Sequence, residues 1–195
     1  MKKIFILLTL SLFLTGFTSC ADKKQLNESN SSPKVSVGTQ AILYNEEEII
    51  NHFLAPMHQG MIATSEYSAR DINEDILIRF YYLNNKDSLN ADKNYLVDLE
   101  KCNLYLSDYF HIVDFDLKKS IYYDRIKDVL DLTSCMDLDE TKTEIVLEKY
   151  TQTQEKVEVQ YRLNFLVGDD LPPAKKSLLF LYDGEKYIFE QVKQQ

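Results

Sequence analysis

Apolar residues of the chain first recur at helical intervals just after residue 45, at Ile49, Ile50, Phe53, Leu54 and Met57. Asn45 stands where an N-cap is expected, and Glu48 lies at capping-box distance from it. Pro56 falls inside this pattern and lacks the backbone N–H that a continuing helix needs. The pattern therefore predicts a helix that begins at Asn45 and kinks or ends early near Pro56.

The middle of the chain also favours helices. The apolar run 76–83 fits either a buried strand or a helix. We favour the helix because Asp71 or Asn73 can cap it and the pair Asn84-Asn85 can end it. Intervals of three and four residues then predict a helix from Asp92 to about Val113. A shorter helix is predicted from Leu117, Ile121, Ile126, Val129 and Leu130.

The last third of the chain has the two-residue period of strands. Residues 156–167 alternate between apolar and polar positions, which predicts a half-buried antiparallel strand. Similar runs precede it at 143–150 and follow it at 177–182, and Pro172-Pro173 fits the connection between strands. Asp183-Gly184 then predicts a hairpin to a final strand. The fold class is therefore α+β, with N-terminal helices packed on one face of a C-terminal antiparallel sheet of about four strands.

This order of elements, with its closing strand–Asp-Gly–strand hairpin, resembles the nuclear-transport-factor-2-like domains. The resemblance rests on element order alone and has no residue motif. It implies a cone-shaped packing of helices against the sheet.

The first 19 residues have the pattern of an export signal. Lys2 and Lys3 form a basic start, and an apolar run of about eleven residues follows from Ile4 to Leu14. A span across a bilayer needs about 20 apolar residues. The run is too short for that, so it predicts a secretory signal peptide rather than a transmembrane helix.

The end of this signal, Phe17-Thr18-Ser19-Cys20, resembles the lipobox of bacterial lipoproteins. Thr18, Ser19 and Cys20 fit that pattern, whereas Phe17 stands in place of the usual Leu. The resemblance implies that Cys20 becomes the lipidated mature N-terminus. It also places the protein in the cell envelope, attached to the membrane by its N-terminal lipid, in the outer membrane or facing the periplasm. The alternative is an ordinary signal peptide cleaved at another position.

A polar segment separates the lipid attachment from the folded part. Residues 21–40 are rich in Ser, Asn, Lys and Gln and have no sustained apolar period. Such a segment buries too little surface to offset its ordering entropy, so we predict a disordered tether. The chain thus divides into a signal peptide at 1–19, Cys20 with its tether at 20–40, and a single α+β domain at 41–195.

Charge and composition exclude some classes of function. The chain has 22 Lys and Arg against 31 Asp and Glu, for a net charge of -9. An acidic chain without a basic stripe has no means of binding the phosphate backbone, so we expect no nucleic-acid partner. With 5 glycines and no phosphate-loop, dinucleotide-binding or nucleophile-elbow motif, the sequence indicates no cofactor.

No catalytic or metal-binding residues are assigned from the sequence. His52 and His58 are six apart and point to different sides of a helix, and His111 has no second histidine at ligand spacing. Four aspartates hint at calcium but lack the glycine that the calcium loop requires, namely Asp114, Asp116, Asp137 and Asp139. We interpret the aspartates beside His111 as solvated side chains, and calcium at an irregular site stays an open alternative without further support from the sequence. Adjacent tyrosines, at 81–82 and 122–123, cannot all face inward and are candidate interface residues.

Cys102 and Cys135 remain as a pair after Cys20 is assigned to the lipid. An exported protein enters an oxidising compartment, so this pair is a candidate disulfide. The alternative is two separate buried thiols that fill apolar space.

The sequence therefore favours a non-catalytic binding or accessory domain on a lipid anchor, with a protein or a small ligand as partner. Two alternatives stay open. One is a periplasmic hydrolase that uses carboxylates on the sheet face. The other is an inhibitor or immunity-type protein whose acidic face blocks a basic partner.

Overall fold

The computed structural model describes residues 43–138, 142–166 and 171–195. All of them belong to one compact unit. The predicted signal peptide, Cys20 and the tether lie outside the described residues, as does Asp139. Within the described part, no helix has the length and apolar character needed to cross a membrane.

The first helical segment confirms the predicted cap and the effect of Pro56. The Asn45 side chain accepts the Glu48 backbone N–H, and the Glu48 carboxylate accepts the Asn45 N–H. Helix α1 (Glu46–Ile49) leads into a π-helical turn (Ile50–Leu54) and then into α2 (Ala55–Gln59). Pro56 lies at the start of α2, directly after the π-helical turn, and cannot donate a backbone hydrogen bond there. The helix thus departs from α geometry just before Pro56 and ends three residues after it, at Gln59.

Helix α3 (Glu74–Asp92) confirms the helix predicted around residues 76–83. Asn73 is its cap, since its side chain accepts the Ile76 backbone N–H. The predicted end at Asn84-Asn85 is wrong. Both amides lie inside the helix and donate to carbonyls four residues earlier, at Phe80 and Tyr81. The helix ends at Lys93, which has a left-handed backbone with φ of 49°.

The continuous helix predicted from Asp92 to Val113 is also wrong. Lys93 ends α3, and Leu96–Val97 forms a short strand, β1. Helix α4 (Leu99–Ser107) begins after Asp98, whose side chain accepts the Glu100 backbone N–H. A separate 3-10 turn covers Ile112–Asp114. The break follows from the left-handed residue and the new cap, neither of which apolar spacing reveals.

A small sheet replaces the helix predicted over residues 117–130. Leu117–Lys119 is a 3-10 turn, and β2 (Tyr123–Asp124) and β3 (Val129–Asp131) form an antiparallel pair with β1 added in the order β1-β3-β2. The Asp124 side chain accepts backbone N–H groups of Ile126 and Lys127 and so fixes the turn. Ile126 is 97% exposed, so it does not belong to a buried helical face. A 3-10 helix, Thr133–Asp137, follows β3.

The predicted C-terminal sheet is confirmed. Its strands β4 (Thr143–Gln152), β5 (Lys156–Phe165), β6 (Ala174–Tyr182) and β7 (Tyr187–Gln194) pair antiparallel in chain order. Residues 183–186 form the closing hairpin loop, in which Gly184 has φ of 111°. Pro172 and Pro173 directly precede β6.

The core lies between the helices and one face of this sheet. Alternate residues of β5 are buried on that face, namely Val157, Val159, Tyr161 and Leu163. Phe53 from the π-helical turn meets Phe180 of β6 with ring centroids 4.8 Å apart, and Phe110 meets Phe189 of β7 at 5.9 Å. The fold is therefore α+β, with helices packed on the four-stranded antiparallel sheet.

Candidate functional site: a cavity beside helix α3

A cavity of about 300 Å³ lies between α3 and the segment 60–67 that follows α2. We call it the α3 cavity. Its apolar lining consists of Met61, Ile62, Tyr67, Ile76, Leu83 and Leu138. Its polar lining consists of Thr64, Ser65 and Arg79, and Gly60 completes the wall. A mostly apolar hollow with a few polar groups is the usual form of a small-molecule site.

One wall comes from a single stripe of α3. Ile76, Arg79 and Leu83 are spaced three and four residues apart and so lie on the same side of the helix. Leu83 is 3% exposed, whereas Arg79 is exposed to solvent. The stripe therefore offers apolar surface inside the cavity and a cation at its rim.

The opposite wall contains a strained residue. Met61 has a left-handed backbone, with φ of 64°. A residue other than glycine adopts this conformation at an energetic cost. Such strain persists only where the surrounding contacts fix it, and it is frequent at functional sites. Gly60 before it packs against α3 so closely that a Cβ there would overlap the Phe80 ring.

Two side chains of the sheet hold this strained segment in place. Tyr161 Oη on β5 donates to the Ala63 carbonyl at 2.7 Å. Lys176 Nζ on β6 donates to the carbonyls of Thr64 and Ser65, both at 2.9 Å. Three consecutive carbonyls are thus fixed to the sheet. Lys176 is only 7% exposed, and burial lowers its pKa, while the charge of Glu66 acts in the opposite direction.

Replacing Tyr161 by phenylalanine tests this support. We expect Tyr161→Phe to lower the free energy of unfolding by about 1–3 kcal/mol, because the Ala63 carbonyl loses its buried donor. Urea unfolding measures the change. Tyr150→Phe is the matched control on β4, since no hydrogen bond is described for the Tyr150 hydroxyl. Equal stabilities for the two variants would show that Tyr161 does not support the segment.

A buried tyrosine orients Arg79. Arg79 Nε donates to Tyr122 Oη at 2.8 Å, and the guanidinium carbon lies 5.9 Å from the centre of the Tyr122 ring. This hydrogen bond raises the pKa of Arg79, so the guanidinium keeps its charge. Tyr122 itself is 6% exposed. The arrangement fixes one edge of the guanidinium and leaves the Nη groups without a hydrogen-bond partner among the described residues.

The two cysteines proposed as a disulfide are free thiols in fully buried side chains. Burial raises the pKa of Cys102 to about 12 and that of Cys135 to about 11. A thiol with so high a pKa is a poor nucleophile, because the thiolate is the reactive form. This arrangement favours the alternative of two separate buried thiols that fill apolar space.

Thiol labelling distinguishes a Cys102–Cys135 disulfide from two free thiols. We expect no labelling of Cys102 or Cys135 in the folded protein at pH 8, and labelling of both after unfolding without reductant. The Cys20→Ala chain gives the cleanest count, since the other two cysteines are then the only ones left. If neither residue reacts until a reductant is added, the two cysteines form a disulfide.

The histidines lie apart from the α3 cavity. His58 Nε2 is 2.9 Å from Thr143 Oγ1, and burial lowers the pKa of His58. His111 Nδ1 lies 3.3 Å from Asp114 Oδ2 at the surface. Across residues 43–138, 142–166 and 171–195, no three His, Cys, Asp or Glu side chains are grouped so that they could hold a metal ion.

The two pairs of adjacent tyrosines differ in burial. Tyr81 and Tyr82 are both buried, so the expectation that such a pair cannot face inward together is wrong for α3. This helix is covered on more than one side, and Tyr81 packs against Tyr105 of α4 with centroids 5.3 Å apart. Tyr122 is buried, while Tyr123 is half-buried. The second pair therefore splits as expected.

An acidic surface lies beyond Tyr122. Asp124, Asp131 and Asp137 line a shallow, open hollow together with Tyr122 and Tyr123. Backbone N–H groups of Ile126 and Lys127 hold the pKa of Asp124 below its usual range, and hydrogen bonds from Thr133 do the same for Asp131. We call this the acidic face. Sequence reasoning named Asp137 and Tyr122-Tyr123 but missed Arg79 and the α3 cavity.

Comparison of the chain with models of protein families, with curated proteins and with solved structures gives no match.

Proposed function

We propose that this protein is a lipid-anchored, non-catalytic protein of the bacterial cell envelope whose domain binds a small molecule in the α3 cavity. The observation that carries the proposal is the cavity itself. It combines an apolar lining, a strained wall held by Tyr161 and Lys176, and an oriented cation at the rim. Its volume lies at the lower end of the range typical of ligand sites.

The anchor in this proposal is supported by the N-terminal pattern. The apolar run is followed by Thr18-Ser19-Cys20, which is where lipoproteins carry the lipidated cysteine. The tether predicted from the sequence at residues 21–40 would reach roughly 25 Å from end to end as a random coil. That length would hold the domain just off the membrane surface.

The described carboxyl groups whose pKa is clearly shifted do not favour the carboxylate-based hydrolase alternative. A carboxylate-based hydrolase needs one carboxyl group with a raised pKa to act as the acid. Where the pKa of a described carboxyl group departs clearly from its ordinary value, it is lowered, at Asp71, Asp124, Asp128, Asp131 and Asp183. Such groups stay ionised at neutral pH and are poor general acids.

The order of elements supports the proposed resemblance to nuclear-transport-factor-2-like domains. Helices precede an antiparallel meander, and they cover one face of it.

The acidic face supports a second candidate function, the binding of a basic protein. Ile121 and Ile126 are 74% and 97% exposed beside its aspartates, so the surface combines apolar anchors with negative charge. An Asp131→Asn, Asp137→Asn variant would then lose binding to a basic partner and keep any ligand in the α3 cavity.

Native mass spectrometry tests the small-molecule proposal. The chain from residue 20 with Cys20→Ala needs no detergent, which would itself occupy an apolar cavity. After incubation with a lipid and metabolite extract of the source cell's envelope, we expect a non-covalent adduct of small mass. Ile76→Trp, which fills the α3 cavity, should carry none. Equal adducts on both chains, or none on the unfilled chain, would contradict the proposal.

A further inference from the structure

The polar groups of the α3 cavity differ in their capacity to bind a ligand. The Thr64 hydroxyl donates to the Met61 carbonyl at 2.8 Å, and the Ser65 hydroxyl donates to the same carbonyl at 2.9 Å. Both hydroxyl protons are therefore used within the wall. Arg79 uses only Nε for Tyr122, so it retains donors for a ligand.

Asp75 is the carboxylate whose charge affects the pKa of Arg79, but it does not form an ion pair with Arg79. Asp75 raises the pKa of Arg79 through its charge, but Asp75 Oδ1 accepts from Ser120 Oγ at 2.6 Å and from the Ile121 backbone N–H at 3.1 Å. Among the described side chains, no carboxylate forms an ion pair with Arg79. The cation at the rim is thus oriented by a tyrosine and has no anion of its own.

Charge and shape together define what such a site selects. The free edge of a guanidinium presents parallel N–H donors that match the two oxygens of a carboxylate. The cavity beside it is lined mostly by apolar side chains, which favour an aliphatic or aromatic body. At roughly 30 Å³ for each water-sized group, its volume admits about ten non-hydrogen atoms.

We infer that the ligand of the α3 cavity is a small amphiphile of about that size, with an apolar body and one carboxylate that pairs with Arg79. This inference rests on the proposed function and names the class of ligand. The negative net charge of the chain makes Arg79 the residue that decides whether a carboxylate is bound. With a net charge of -9, the protein otherwise repels anions, so the attraction that selects a carboxylate must be local.

Octanoate and octanamide test this inference as a matched pair. Each has ten non-hydrogen atoms and the same apolar chain, and at pH 7.5 only octanoate is charged. Isothermal titration of the detergent-free Cys20→Ala chain should give an affinity for octanoate about tenfold higher than for octanamide. In Arg79→Gln, this preference should disappear while the affinity for octanamide is kept.

Two further variants serve as controls. Arg125→Gln removes an exposed arginine that does not line the cavity, so it should keep the preference for octanoate. Ile76→Trp should bind neither probe. Equal affinity for both probes in the unmodified cavity would overturn the inference about the ligand and leave the proposed function standing. Octanoate binding that survives Ile76→Trp would place the ligand elsewhere and overturn the inference. Failure of both probes to bind would overturn the inference and count against the proposed function, which the envelope extract tests separately.

Discussion

Replacing Cys20 by alanine should move the protein from the membrane fraction to the soluble fraction. The proposed anchor is a diacylated or triacylated cysteine, and two or more acyl chains hold a protein stably on a bilayer, whereas one chain binds only marginally. Fractionation and immunoblotting measure the loss, which we expect to be nearly complete.

Cys102→Ala is the matched control for this experiment. It removes a cysteine that lies buried in α4 and should leave the protein in the membrane fraction. Mass spectrometry of the mature wild-type protein should also find the lipid on an N-terminal cysteine. A Cys20→Ala variant that still sediments with membranes would refute the lipoprotein proposal.

The second large effect concerns the packing of α3. Phe80 is fully buried, and its ring centroid lies 5.0 Å from that of Phe110 and 5.3 Å from that of Tyr109. Its ring also contacts the Gly60 side of the cavity wall. We expect Phe80→Ala to lower the free energy of unfolding by about 3–5 kcal/mol, because it removes this burial and leaves a void.

For a domain of this size, such a loss lowers the melting temperature by on the order of 10 °C. Circular dichroism during heating measures it. Phe165→Ala is the matched control, since Phe165 is 40% exposed at the end of β5 and should cost well under half as much. If the two variants have the same melting temperature, Phe80 is not a central residue of the core.

The elements that could be predicted are those whose signal is local. Asn45 and Asn73 cap their helices through residues three positions away, and the alternation in β5 places one face on the core. These features depend on short segments of sequence. The class of the fold follows from them because the helices precede the four strands of the large antiparallel sheet along the chain.

The elements that could not be predicted are decided by turns. Apolar residues between 92 and 130 recur at helical intervals, yet Lys93 and Asp128 adopt left-handed backbones, and the Asp98 and Asp124 side chains cap new elements. Single polar residues of this kind interrupt a helix without changing the spacing of its apolar neighbours. The apolar periodicity therefore predicted continuous helices across segments that turns of the backbone separate.

The α3 cavity could not be predicted from the sequence for a different reason. The segment 60–67 takes its shape from donors on the sheet, at Tyr161 and Lys176, which follow it by about a hundred residues. Arg79 gains its orientation from Tyr122, 43 residues further along the chain. Such contacts depend on the folded topology, and one sequence contains no pattern that reveals them.

The central claim is that a small molecule binds in the α3 cavity, and amide NMR tests it most directly. The ¹⁵N-labelled, detergent-free Cys20→Ala chain would be titrated with the small-molecule extract of the source cell's envelope. We predict chemical-shift changes at residues 60–67 and 76–83, and their loss in Ile76→Trp. Shifts confined to residues 123–137 on the acidic face, or no shifts at all, would contradict the claim.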